Sequence, residues 1–431
     1  MRKMKDSGIP WIGEIPEEWN IIKLKYLFSI IGGNGFPDAL QGNAEGDYPF
    51  CKVSDINGSS DYVNTASNWV SEDVAEQYKF SIIPVGSIIM AKIGAALAKN
   101  HRKINTVACC IDNNTQALVL KRRDCLRYLL YLSKCIDMRW FDNNSTVPSI
   151  NNSKLLSFFV PDAPKDEQQR IADSLDAECA RIDAVMEQTR ASIEEYKKLK
   201  QSIITEAVTK GIRPNRPMKD SGIDWIGQIP VEWEIRTLGA ITTNMRNGYV
   251  GPTKDIFVDE GVPYIQSLHI KEGTIDFEKH EYYVSDEWAA VHPKIRKDDI
   301  LIVQTGDIGS VGIVPKEYDN CNCHALIIAT ANGEIVNPRY LTYYLMSGIG
   351  RELLLYYKTG ALLPHLNSGK IKQAAVCIPG LNEQEQIIDY LNGTVQKINQ
   401  MIDNKERFLS EMESYKKSLI FEYVTGKKEV L

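Results

Sequence analysis

Residues 4–24 read MKDSGIPWIGEIPEEWNIIKL, and residues 218–238 read MKDSGIDWIGQIPVEWEIRTL; fifteen of these 21 positions are identical at an offset of 214. A second pair follows, EQQRIADSL at 167–175 and EQEQIIDYL at 383–391, and each half closes alike, with VTKG at 208–211 and VTGK at 424–427. The chain is therefore a tandem duplication of a unit of about 215 residues. That unit is too long, and its copies too few, for a solenoid.

Each unit runs in the same order. A short Trp- and Pro-bearing segment leads into about 130 residues of strand-like runs and turns, and a long helical stretch follows. IPVGSIIMAKIG (83–94) and IRKDDILIVQTG (295–306) are β-branched runs bounded by Gly and Pro, the mark of buried strands. Shorter helices are expected over 126–141 and 338–357. Each such part reads as a compact α+β globule.

The helical stretches cover about 166–207 and 383–423. In the first, Ala172, Leu175, Cys179, Ile182, Met186, Ile193, Tyr196, Ile203 and Ala207 keep the 3,4 spacing of a coiled-coil seam. Ile388, Leu391, Val395, Ile398, Ile402, Leu409, Met412, Leu419 and Tyr423 do so in the second. The seam breaks at matching places, Thr189 with Lys405 and Lys200 with Lys416. Matching breaks point to two helices packed on each other, and the order globule–helix–globule–helix points to antiparallel pairing. The bland reading is two separate amphipathic helices, each lying on its own globule.

At 431 residues, 43% hydrophobic and 25% charged, the chain has the composition of a folded protein of two to four domains, and disordered, collagen-like and mucin-like classes are excluded. Nine scattered cysteines without a C-x-x-C pair suit a reducing cytosol and the role of small buried hydrophobes. The leading residues lack the apolar core of a secretory signal. The apolar stretch 80–98 carries Pro84, Gly86, Lys92 and Gly94, which reads as two buried strands around a turn and not as a membrane span. The expected location is the cytoplasm, with no membrane partner.

Motifs of catalysis are missing from the sequence. There is no G-x-x-x-x-G-K-[ST] loop, no H-E-x-x-H and no G-x-S-x-G, and the run Gly32-Gly33-Asn34-Gly35 reads as a flexible turn, not a dinucleotide fingerprint. His324 beside Cys323 is the nearest approach to a metal pair, and a satisfied histidine is the plainer reading. The Asn/Asp-Pro-Pro-aromatic tetrad of an adenine methyltransferase is absent. These gaps argue for a binding protein with neither metal nor cofactor of its own.

Lys plus Arg total 50 against 56 Asp plus Glu, a net charge of -6 that by itself argues against nucleic acid. The basic residues nevertheless cluster, at 196–219, at Lys99-His101-Arg102-Lys103 and at Lys121-Arg122-Arg123-Arg127, and local density is what binds phosphate. Alignment of the two globules adds a sharper clue, because the apolar frame repeats while its polar residues change. YPFCKVSDI (48–56) against VPYIQSLHI (262–270) sets Lys52 opposite Gln266 and Asp55 opposite His269. GSIIMAKIG (86–94) against DDILIVQTG (298–306) sets Lys92 opposite Gln304. VPSINNSKL (147–155) against LPHLNSGKI (363–371) keeps Asn151 and Asn367 but exchanges Ser149 for His365. Lys and Gln read guanine and adenine edges in the major groove, although surface drift after duplication would look similar. Candidate DNA contacts are Lys52, Lys92, Lys99, Arg102, Ser149 and Asn151 in the first globule, and Gln266, His269, Gln304, Thr305, His365 and Asn367 in the second.

The doubled K-D-S-G-I-x-W-I-G-x-I-P-x-E-W motif and the paired E-Q-x-x-I-x-x-x-L helices resemble the specificity (S) subunits of type I restriction-modification systems, over essentially the whole chain. The resemblance implies two target-recognition domains, at 1–160 and 212–378, and two spacer helices, at 161–211 and 379–431. It implies that each domain reads one half of a bipartite asymmetric site in double-stranded DNA. It further implies that the helices set the gap and dock two methyltransferase (M) subunits, joined by restriction/translocase (R) subunits. AdoMet, ATP and Mg would then belong to those partners. The competing reading is a coiled-coil scaffold whose globules bind proteins, and a self-sufficient methyltransferase is a third.

Overall fold

The computed structural model describes residues 2–58, 60–143, 146–360 and 364–430. Two compact units emerge, Met1–Gln188 with Phe408–Leu431, and Thr189–Arg407. They are not the two halves of the repeat, because each takes part of both long helices.

Those helices run Lys165–Lys210 and Leu381–Val424, 46 and 44 residues, or about 69 and 66 Å at 1.5 Å per residue. Acidic residues occupy their first turns (Asp166 and Glu167; Glu383), where they offset the positive end of the helix dipole. Gly211 and Gly426 follow the last turns at φ +76° and +71°, left-handed positions that stop a helix without a Cβ penalty. Every predicted seam position is buried or half-buried. Within the first unit, the Lys416 ammonium bonds both carboxylate oxygens of Asp183, at 2.6 and 2.7 Å. Within the second, Lys200 reaches Asn399 Oδ1 at 2.9 Å and Lys405 lies over the Tyr196 ring at 5.7 Å. Of the three Lys residues that break the seam, Lys416 and Lys200 thus find polar partners on the other helix and Lys405 an aromatic ring.

In the first unit a five-stranded sheet runs in the order Phe28–Gly32, Thr115–Leu120, Ile88–Ala91, Arg102–Asn105, Tyr62–Val63. In the second, Thr242–Asn247, Leu326–Ala331, Ile300–Val303 and Val311–Ile313 form the counterpart. The central pairings keep one register: Thr115 faces Ala91 and Gln116 faces Gly32, as Leu326 faces Val303 and Ile327 faces Asn247. A short ribbon closes each globule beside the foot of a long helix, Asn20–Lys23 on Phe159–Asp162 and Glu234–Thr237 on Ala375–Ile378.

The leading motif ties globule to helix. Trp19 and Trp233 are fully buried, and their indole N–H groups donate to Glu167 Oε2 at 2.8 Å and Glu383 Oε2 at 3.0 Å. Arg2 and Arg216 ion-pair with the same carboxylates and stand 5.4 and 5.6 Å above the indole rings. A Cβ at Gly426 would overlap Pro16, so the end of the second helix packs on the first copy of the motif.

Three expectations change. The stretch 80–98 holds one strand, Ile88–Ala91, with an isolated bridge at Ile83 and a helical turn at Ala96–Lys99; Pro84 and the turn at Gly86 (φ +79°) separate bridge from strand. The expected helix over 126–141 ends at Lys134, and a short 3-10 turn, Met138–Phe141, follows under an Asp137 cap. That over 338–357 splits at Ser347, whose extended backbone ends one helix and whose hydroxyl accepts the Gly350 N–H of the next at 3.0 Å. Seven of the nine cysteines are buried, and burial pushes the Cys110, Cys323 and Cys377 thiols up to about 12, as befits inert packing groups. No helix of the described residues is long and apolar enough to cross a membrane.

Candidate nucleic-acid interface

The sheets place one loop cluster in each globule. In the first, the chain leaves Ile88–Ala91 at Lys92, whose carbonyl accepts the Ile150 N–H at 3.0 Å, while Gly94 N–H donates to Pro148 O at 2.8 Å. In the second, the chain leaves Ile300–Val303 at Gln304, whose carbonyl accepts the Leu366 N–H at 3.0 Å. The backbone thus brings the segment of Ser149, which bridges Ile93, against that of Lys92 in one copy, and the segment of His365 against that of Gln304 in the other. Within the glycine run beside them Gly33 is closely packed, whereas Gly35 has open space around it. A Cβ at Gly33 would overlap the carbonyls of Ile111 and Asp112, and one at Gly248 would overlap Cys323.

The clusters carry polar groups beside exposed Val147. Ser149 Oγ accepts from Asn143 Nδ2 at 3.2 Å, and His365 Nε2 lies 3.3 Å from Thr359 Oγ1. Gln304 Nε2 donates to Asn247 Oδ1 at 3.1 Å, with exposed Thr305 next to it. Asn247 was not among the sequence candidates. The packed pair Gly33-Asn34 aligns with Gly248-Tyr249, which sets Asn247 opposite Gly32, but no apolar frame flags that position. Lys52 is half-buried, 4.7 Å over the Phe36 ring and bonded to Gln41, while Lys99 is exposed. Gln266 is half-buried beside the turn Ser267–His269.

Two candidates are withdrawn because they lie inside the protein. Arg102 is 4% exposed; its guanidinium donates to the His101 and Ile136 carbonyls and to Asn100 Oδ1, and burial lowers it to about 10. His269 has no exposed surface. Its Nδ1 accepts the Gln266 N–H at 2.9 Å and its Nε2 lies 2.7 Å from the His280 carbonyl, which fixes the neutral Nε2–H tautomer. Burial accordingly depresses its pKa. Asn151 and Asn367 have a structural reason to be kept. Both are helix N-caps, accepting from Lys154 N–H at 3.0 Å and from Gly369 N–H at 2.9 Å.

The basic clusters are neutralised in part within each unit. Arg122 pairs with Asp124 and Asp162, Arg127 with Asp61 and Asp176, and Lys134 with Asp61. Lys103 is 6% exposed, Lys200 pairs with Glu272, and Arg216 with Glu232 and Glu383. His324, considered above as a metal ligand, has its Nδ1 3.2 Å from the Tyr264 hydroxyl.

A family model described as the type I restriction modification DNA specificity domain matches residues 16–195 and again 230–406. Over 444 residues the chain is 24% identical to the type I restriction enzyme MjaIX specificity subunit of Methanocaldococcus jannaschii, covering 97% of this chain and 95% of that protein. It is 27% identical over 256 residues to the type I restriction enzyme EcoBI specificity subunit of Escherichia coli, 56% of this chain and 52% of the other. Its fold is similar to a chain solved in work on complex assembly and conformational transition of the type I R-M system. The TM-score is 0.68 at 14% identity, over 96% of this chain and 99% of that one.

Proposed function

The chain belongs to the type I restriction modification DNA specificity family, which matches it twice, and we propose that its two globules read the two unlike halves of a bipartite site in double-stranded DNA. As a specificity subunit it recognises DNA and leaves catalysis to other subunits. The scaffold alternative is not favoured by this membership.

One observation carries the two-reader mechanism. The same loop position, reached by the same strand register, presents Lys92 with Ser149 in one globule and Gln304 with His365 in the other. Two scaffolds of one shape with different donors and acceptors discriminate two different short sequences, because base edges in the major groove differ only in that pattern. Lys52, Lys99, Gln266, Thr305 and the capping residues Asn151 and Asn367 remain candidates around these clusters.

The long helices are proposed to pair antiparallel and to fix the gap between half-sites, as dimer geometry does for palindromic readers. The Lys416–Asp183 and Lys200–Asn399 contacts, each within one unit, support that pairing. Two M subunits would dock along the helices, and R subunits would join them. On this reading AdoMet, ATP and Mg serve those partners, and the complex works in the cytoplasm. The test is the methylation pattern of genomic DNA from strains with and without this chain: a bipartite adenine motif should vanish with the chain. Loss of no motif, or of a continuous palindromic one, refutes the proposal.

A further inference from the structure

The reading position is the exposed end of a strand face whose inner part belongs to the core. In the first globule, Gly32, Gln116 and Met90 face one another in register, and Lys92 follows Met90 by two residues. Residues opposite each other, or two apart along a strand, share a face of the sheet. The Lys92 ammonium accordingly lies 3.6 Å from where a Cβ on Gly32 would stand. In the second globule the same face carries Asn247, Ile327 and Ile302, with Gln304 following Ile302 by two residues. Three differences thus fall together on one face, from Gly32 to Asn247, Gln116 to Ile327 and Lys92 to Gln304. Gln116 with Met90, and Ile327 with Ile302, are fully buried, so the differences that reach the surface are Gly32 to Asn247 and Lys92 to Gln304.

The chemistry differs in kind. The Lys92 ammonium is a point donor above a glycine. Guanine offers two acceptors, O6 and N7, to such a donor. Gln304 gives one amide hydrogen to Asn247 Oδ1 at 3.1 Å. That bond fixes the plane of its amide and leaves Oε1 free to accept and the second Nε2 hydrogen free to donate. Adenine presents the matching pair, an N6–H donor and an N7 acceptor.

Building on the reading above, we propose that the Gln304–Asn247 pair selects adenine in the half-site read by the second globule, with Asn247 as the positioning residue, and that Lys92 over Gly32 selects guanine in the other. Holding one flexible amide in the productive plane lowers the ordering cost of binding.

The experiment selects from a duplex library with two randomised blocks and a randomised gap, using the full-length chain and sequencing the bound fraction. The wild type should enrich adenine at one position of one half-site and guanine at one position of the other, each by about tenfold or more over other bases. The double variant Gln304→Lys with Asn247→Gly should move the adenine position to guanine and leave the other half-site unchanged. Lys92→Gln should act only on the opposite half. Asn247→Ala should flatten the adenine preference, and Asn247→Asp, which keeps an acceptor for Gln304, should restore it even where its charge weakens binding to all duplexes alike. Two enriched half-sites that no variant alters at any position overturn the inference and leave the two-reader proposal standing. Absence of two enriched half-sites in the wild type overturns both.

Discussion

Replacing Glu167 with Ala should destabilise the first unit by about 4 kcal/mol. Glu167 Oε2 accepts the indole N–H of fully buried Trp19 at 2.8 Å and an Arg2 N–H at 2.7 Å, and its side chain is only 10% exposed. The same carboxylate holds the Arg2 guanidinium well above its ordinary pKa, chiefly through their hydrogen bond. Truncation strands the buried indole donor, about 1–3 kcal/mol. It also breaks a mostly buried ion pair, about 3–5 kcal/mol. Both losses flow from one carboxylate and Arg2 keeps its exposed partner Glu18, so they overlap and do not add in full. Glu167→Gln keeps an acceptor for the indole but not the charge that pairs with Arg2, and should lose less than Glu167→Ala by about 1 kcal/mol. Urea unfolding followed by tryptophan fluorescence measures the loss, and hydrogen–deuterium exchange locates it. Protection should fall around Trp19 in Glu167→Ala, and around Trp233 in the twin variant Glu383→Ala. A loss below about 1 kcal/mol with exchange around Trp19 unchanged would refute the view that this carboxylate fastens globule to helix.

Two further outcomes test other levels of the argument. Inserting four residues after Thr189 lengthens that helix by about 6 Å, near two base pairs of rise, and should widen the gap of the bipartite site accordingly; an unchanged gap in the methylated motif contradicts the proposed ruler. Burial depresses the pKa of His269 below its ordinary 6.5, so its stabilising contribution is complete above about pH 6.5 and declines as pH falls below it. Melting curves from pH 7.5 to 5 should show that decline in the wild type and less of it in His269→Gln, whose amide offers the same acceptor and donor; equal declines in both contradict the assignment.

Much of the site lay beyond what alignment of the two halves reveals. The sequence could set Lys92 opposite Gln304 and Ser149 opposite His365 because an apolar frame of fixed spacing marks the same strand end twice. Arg102 and His269 were misread because a polar residue looks the same in sequence whether it faces water or a carbonyl. The Ile136 carbonyl that receives Arg102 lies 34 residues away, and the His280 carbonyl 11 residues from His269. Asn247 escaped notice because its partner Gln304 is 57 residues distant. The cluster at 121–127 reads as a phosphate footprint in sequence, but Asp61, Asp162 and Asp176 from other elements pair with its Arg122 and Arg127.

The duplication, the two long helices with their matched seam breaks, and the strand frames were all settled by the sequence alone. They rest on repetition and on periods of 3.6 and 2, which are local properties of a chain. Which charges are spent on neighbours, which polar groups are sealed in the core, and which amide is locked beside which were decided only by tertiary structure. So was the division into units that share both helices. Those outcomes depend on desolvation and on contacts between residues far apart in sequence, and the packing of distant strands and helices alone determines them.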